Sequence, residues 1–302
     1  MSLSRATTVL ATVERCRKRL WAHCYRMTGG RTEADDLSQE AIARAIERAD
    51  DLHDGAAAEG WLFRIATTVC LDHLRRVRRA RALTELVDPV AFDDLPAPPA
   101  DPEASALLRD DVRLAVVAAL QHLSAKQRAA LLLHDVCGLS LAEVASTIGT
   151  NGNAAKATLR RARAALDRAR GRTDVDVPVN FEVVERLARA LESRSVDALA
   201  ALLADDVWGV VDGGGIVRVA SRPTFGARTL LRRFANLSRR VPVPVACRVV
   251  RLNAEPAVLV TLPSAGHAVF ASVHVETRAG RIVAMRVVRD PAKLVPLQAV
   301  MQ

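Results

Sequence analysis

The chain has 302 residues, half of them apolar, which is enough for two or three domains with their own cores and excludes a disordered tail protein. Its net charge of +9 favours polyanionic partners, because each Lys or Arg set against phosphate releases condensed counterions. The five cysteines (Cys16, Cys24, Cys70, Cys137, Cys247) form no C-x-x-C pair and have no His pair at zinc spacing nearby, and the first twenty residues hold no long apolar run; this speaks against a metal or redox centre, a cofactor clasp, a signal peptide and a membrane span, and for reduced core thiols in a cytosolic protein.

Taken in order, the elements fall into three blocks. Residues 8–82 read as helical. In ADDLSQEAIARAIERADDL, Leu37, Ile42, Ala45 and Ile46 recur at helix spacing and predict a shared inner face. The following EGWLFRIATTVCLDHLRRVRRARAL opens apolar, with Trp61 read as core. It closes on Arg75, Arg76, Arg78, Arg79 and Arg81, a cationic strip suited to a DNA backbone. Residues 83–104 then carry Pro89, Pro96, Pro98, Pro99 and Pro102 among acidic residues, the composition of an extended, semi-rigid linker.

Residues 105–171 are helical again, and their capping signals are specific. Ser124 caps a helix whose apolar stripe runs from Arg128 to Val136, and Gly138 ends it by a left-handed turn. Ser140 and Glu143 form a capping box for a short helix burying Leu141, Val144, Ala145 and Ile148, with Gly149 making the next turn. A third helix from about Gly152 buries Ala155, Leu159, Ala162 and Leu166 and turns Lys156, Arg160, Arg161 and Arg163 outward. This is helix-turn-helix spacing, in which Asn151, Asn153 and Lys156 are placed to reach base edges while the arginines meet phosphates.

From 178 to 302 the character changes. After the helix FEVVERLARALESR come short β-branched runs, DVWGVVD, IVRVAS, VACRVVRL, AVLVTL, HAVFASVHVET and RIVAMRVVRD, bounded by Gly, Pro and Asn. One helix before several antiparallel-looking strands predicts an α+β domain.

Several of these segments carry a family resemblance. MTGGRTEADDLSQEAIARAI, WLFRIATTVCLDHLRRVRR and LSAKQRAALLLHDVCGLSLAEVASTIGT resemble, in order and spacing, the conserved helices of extracytoplasmic-function sigma factors. Thr68 stands where that family carries Asn, and Ala157-Thr158 where it carries Ser-Arg. The resemblance implies a multidomain protein with two all-α sigma domains, the second a helix-turn-helix. Its first domain would dock on the clamp helices of the largest polymerase subunit through Asp35, Asp36, Gln39 and Glu40. The helix bearing Thr68, Arg75, Arg76, Arg78 and Arg79 would grip the −10 promoter element. The second domain would read the −35 element and touch the β flap of the core RNA polymerase.

Residues 178–302 resemble the SnoaL-like (NTF2-like) α+β cone fused to some sigma factors, through LADDVWGVVDGGG, SRPTFGARTLLRRFANL and GRIVAMRVVRDPAKL. The resemblance implies a regulatory role for this domain, carried by Asp212, Gly213, Gly214, Asp290 and Lys293, with a small-molecule ligand of the cone as a further expectation. DGGG reads as a hairpin turn. Asp206, Asp212, His267 and His274 are its polar candidates for chemistry. His267 and His274 stand an odd number of positions apart in one strand and so point to opposite faces, and no nucleophile–base–orienter set is legible, which argues against an enzyme. Two other readings remain: a helix-turn-helix regulator with a sensor domain that never enters the polymerase, and a pocket enzyme with a basic extension.

Overall fold

The computed structural model describes residues 2–77, 114–170, 179–219, 223–241, 243–253 and 255–301. The proline-rich linker expected at 83–104, with Arg78, Arg79 and Arg81, lies outside them. The described residues gather into two compact units, residues 2–77 with 116–170 and residues 179–301.

In the first unit α1 (Ser2–Thr28), α2 (Arg31–Glu47) and α3 (Ala58–Val77) pack together. Val9, Val13, Cys16, Leu20, Cys24 and Met27 recur every three or four residues along α1 and are buried, so one stripe faces the core. On α2 the buried line is Ala34, Leu37, Ser38, Ala41 and Ala45. Ile46, expected inside, is 45% exposed. Small residues let α2 approach its neighbours closely, and the bulky Ile46 is left on the flank.

The second helical block follows with α4 (Leu114–Gln121), α5 (Ala125–Leu131, continuing through a π turn to Val136), α6 (Leu141–Ile148) and α7 (Gly152–Arg170). It packs on the first block within the same unit. Gln121 donates from Nε2 to the Arg26 carbonyl at 3.1 Å, and Gly60 of α3 faces the Leu139 side chain. At the centre of this contact lies Arg128, 5% exposed. Read from the sequence as the start of an apolar stripe, it donates instead to the carbonyls of Leu120 (3.0 Å), Leu123 (3.1 Å) and Met27, the last across the two blocks. A buried guanidinium is tolerated there because carbonyls at two helix ends supply acceptors that would otherwise be orphaned.

The second unit is α+β. α8 (Phe181–Glu192), capped by Asn180, and α9 (Val196–Ala200) lead into β1 (Leu203–Asp212). Then come β2 (Thr224–Phe225), α10 (Ala227–Arg240), β3 (Ala246–Leu252), β4 (Glu255–Leu262), β5 (Ala268–Arg278), β6 (Arg281–Val288) and α11 (Pro291–Leu294). Among the described residues the sheet order is β2-β1-β6-β5-β4-β3. Its pairs are antiparallel except β1 with β6, which run parallel. One face carries Val207, Val258, Val273, Val275 and Met285 against Val183, Val184 and Leu187 of α8 and Leu230, Leu231 and Phe234 of α10. The other face buries Leu252, Ala257, Leu259 and Val288 under Leu294 and Leu297.

Three expectations change here. Ile216–Val219, read as part of a strand, forms no ladder, since the amides of Ile216 and Val217 both turn back onto the Gly213 carbonyl. The turn after Asp212 is therefore not a tight hairpin. SRPTFGARTLLRRFANL holds a full helix, α10, that the count of one helix before the strands overlooked. His267 lies before β5 at φ +59 rather than within it.

Candidate nucleic-acid interface

The helix-turn-helix is built from local chemistry. The Ser124 hydroxyl accepts the Gln127 amide while the Gln127 side chain accepts the Ser124 amide, closing a capping box. The Cys137 amide reaches back to the Leu132 carbonyl, and Gly138 takes φ +70. α6 starts on a second box, the Ser140 hydroxyl accepting the Glu143 amide at 3.3 Å and donating to its carboxylate at 2.7 Å. The Ser140 hydroxyl, and then the Ser140 amide donating at 2.9 Å, hold the Glu143 carboxyl below its ordinary pKa. Gly149 ends α6 at φ +65, where a side chain is disfavoured.

α7 then buries Ala155, Leu159, Ala162 and Leu166. Its opposite face shows Asn153, Lys156 and Arg160, exposed and one helical turn apart, with Arg161 on the flank at 3.3 Å from the Thr158 hydroxyl. No acidic residue occurs between Gly152 and Leu166. Two of the expected DNA contacts have other work. Asn151 caps α7, its Oδ1 accepting the Ala154 amide at 2.9 Å. Arg163 forks onto both oxygens of Asp135 at 2.5 and 3.0 Å and fixes α7 to the π turn of α5. Its position on the wheel, beside the buried stripe, carries that signal.

In the first block Asp36 and Gln39 are exposed on α2. Asp35 accepts from Trp21 Nε1 at 2.5 Å and Glu40 pairs with Arg44 at 2.6 Å. On α3, Thr68 is exposed with its hydroxyl donating to the Arg64 carbonyl, and Arg75 and Arg76 are exposed near the helix end, Arg75 held by Asp72 at 2.6 Å. Arg78 and Arg79 lie beyond the described residues. Sequence reasoning missed His23, fully enclosed beside Thr67. The Thr67 hydroxyl donates to the Phe63 carbonyl, so His23 Nε2 is the donor in their 2.8 Å bond and Nδ1 is a bare acceptor. Burial, and then Arg26, lower its pKa to about 3.

In the second unit Asp212, Gly213, Gly214, Asp290 and Lys293 come together. Asp212 is 3% exposed, accepts the Gly214 amide at 2.9 Å and pairs with Lys293 Nζ at 3.0 Å. A Cβ on Gly214 would meet the Asp290 carboxyl at 2.3 Å, and Asp290 caps α11 through the Ala292 amide at 3.0 Å. The turn after β1 is thereby clamped to the segment after β6. The other polar candidates do not converge. Asp206 is paired outward with Arg278, and His267 sits in a turn. His274 lies 3.2 Å from Ser272, a pairing the i, i+2 spacing in one strand could have revealed. Burial, and then Arg286, bring its pKa to about 3, too low for a useful base near neutral pH. The described residues hold no cluster of three or more metal-ligating side chains.

A helical block followed by a capped helix-turn-helix with a cationic third helix defines the two-part architecture of sigma-type proteins. Residues 12–80 match the family description Sigma-70 region 2, and residues 113–166 match Sigma-70, region 4. The ECF RNA polymerase sigma factor SigG of Mycobacterium tuberculosis is 39% identical over 221 residues, 66% of this chain and 60% of that protein. SigJ of the same species is 32% identical over 231 residues, 75% of this chain and 72% of that protein. The chain thus spans about three fifths of the first of these relatives. The crystal structure of Mycobacterium tuberculosis SigJ matches with a TM-score of 0.71 at 28% identity, covering 94% of this chain and 97% of that one, so its likeness extends through the α+β unit. This chain belongs to the ECF RNA polymerase sigma factor family, with a C-terminal unit of α+β architecture.

Proposed function

We propose that this chain directs core RNA polymerase to particular promoters, and that its α+β domain tunes that activity. The observation that carries the reading is α7, whose exposed face sets Asn153, Lys156 and Arg160 in one row on a doubly capped helix-turn-helix. Asn153 and Lys156, near the N-terminus of α7, would meet base edges of the −35 element, with Arg160 and Arg161 on phosphates. Asp36 and Gln39 offer the freer part of the acidic α2 face to the polymerase clamp helices, and the second helical block would also meet the β flap. Thr68, Arg75 and Arg76 would lie along the −10 element, with Arg78 and Arg79 continuing the strip. The Asp212–Lys293 clamp with Asp290, Gly213 and Gly214 keeps the C-terminal segment on the sheet for its regulatory role. The chain would act in the cytoplasm, where polymerase and promoters are; among the described residues no helix is long and apolar enough to cross a membrane.

The test is transcription from a promoter library by core polymerase supplied with the full chain. Promoter-specific transcripts are expected. Arg160→Ala with Arg161→Ala should weaken promoter binding about tenfold or more and lower its salt dependence. Binding to duplex without any association with core polymerase would favour a stand-alone regulator instead.

A further inference from the structure

Most of the chain's net charge lies outside its helical blocks taken as a whole, although α7 is itself cationic. Residues 1–177 hold 26 Lys and Arg against 24 Asp and Glu, whereas residues 178–302 hold 17 against 10, a net +7 of the chain's +9. Five of those seventeen stand on one helix. Along α10, ARTLLRRFANLSRR, the residues Arg228, Arg232, Arg233, Arg239 and Arg240 are all exposed. The helix contains no acidic residue. Among the described residues none of the five arginines has a carboxylate partner.

Their placement is ordered. At 100° per residue, Arg228, Arg232 and Arg239 fall within a 40° stripe, and Arg233 and Arg240 form a second row about 100° around the axis. Asn236 and Thr229 lie between the rows. Leu230, Leu231 and Phe234 occupy the opposite side, in the core. Folding alone does not account for the pattern. Arg239 and Arg240 suit the negative end of the helix dipole, but Arg228 sits in the first turn, where a cation is unfavourable, and it repels Arg232 at i, i+4. Charges that oppose their own helix and meet no counter-charge are placed for something outside the unit.

We propose that the exposed face of α10 is a third nucleic-acid contact of this chain, binding the phosphate backbone of duplex DNA without reading bases. The inference rests on the reading of the chain as a promoter-binding protein. From Arg228 to Arg240 the helix runs about 18 Å, a length of duplex that presents on the order of ten phosphates. Guanidinium edges fork onto phosphate oxygens, and the Asn236 and Thr229 side chains add uncharged hydrogen bonds between the rows. Because α10 belongs to the same chain as α7, each contact raises the effective concentration of the other.

The test compares three full-length proteins binding a promoter-length duplex over a range of salt: the unaltered chain, Arg228→Gln/Arg232→Gln/Arg239→Gln, and Arg160→Ala/Arg161→Ala. Loss of three phosphate contacts should lower the slope of log affinity against log salt by up to about 2.7 and weaken binding roughly tenfold or more at moderate salt. Lysines at the same three positions should restore most of it. A slope unchanged in the α10 protein but reduced in the α7 protein overturns the α10 contact and leaves the promoter reading intact. No loss in either protein overturns both. Normal DNA binding with lost affinity for core polymerase or for anionic vesicles also overturns the proposal, assigning the face to an acidic protein or a membrane surface. Since all three side chains are exposed, thermal melts of the Gln variant should match the parent. The Arg233→Gln/Arg240→Gln protein provides a second, independent row and should lose up to about 1.8 in slope.

Discussion

His23 and His274 show how burial decides a residue's chemistry. Each is fully enclosed and brought to about pH 3 by desolvation, with Arg26 and Arg286 adding to the effect. Each is therefore neutral in the folded chain. An unfolded imidazole titrates near 6.5, so as pH falls the unfolded state takes up protons first and stability drains away from about pH 6.5 down towards 3. At pH 5 the loss should reach about 2 kcal/mol per histidine. Urea midpoints measured from pH 7 to pH 4 should fall accordingly, and His274→Gln should flatten the curve by about half. A midpoint independent of pH in that range would place both rings in solvent. The cysteines follow the same logic: Cys137 and Cys247 are both pushed up to about 12, chiefly by burial, which makes them slow nucleophiles.

Among the elements, those whose ends are marked by capping chemistry were legible in the sequence. Ser140 with Glu143, Gly138 and Gly149 are local signals, and the helix-turn-helix follows from them with little help from the rest of the chain. α10 was not read, although Leu230, Leu231 and Phe234 mark an inner face. Its N-cap is Gly226, which makes no side-chain hydrogen bond, so the start signal was missing. The hairpin joining β5 to β6 shows a local rule broken. Arg278 pairs with Arg281, leaving Ala279 and Gly280 at φ +49 and +70 in the two turn positions. Such a turn favours Asn-Gly, because an alanine in the left-handed region costs roughly 1 kcal/mol. Ala279→Asn should therefore raise stability by about 0.5–1 kcal/mol, seen as a rise in melting temperature of a few degrees or less. A fall would mean that the Ala279 methyl makes a contact worth more than the strain it imposes.

For the whole molecule, the two helical blocks that the sequence separates by a proline-rich linker are found packed in one unit, with Arg128 joining them through the Met27 carbonyl. Arg128→Ala should cost roughly 3 kcal/mol, since several buried carbonyls lose their donor at once. It should also raise hydrogen exchange in α4 and at the end of α1. Exchange raised uniformly over the chain instead would reduce Arg128 to a general stabiliser with no part in joining the blocks.

Helical periodicity, caps, glycine turns, the cationic face of α7 and the alternation of the strands all depend on neighbours along the chain and can be read from its residues. Folding in three dimensions settled which distant groups meet. It drew Arg163 to Asp135 and Arg128 to carbonyls of two blocks, ran β1 parallel to β6, and clamped Asp212 to Lys293. The physical reason is that caps and periodicity are set within a turn or two of backbone, whereas ion pairing and burial depend on the distance between residues and the water left between them, which the fold sets.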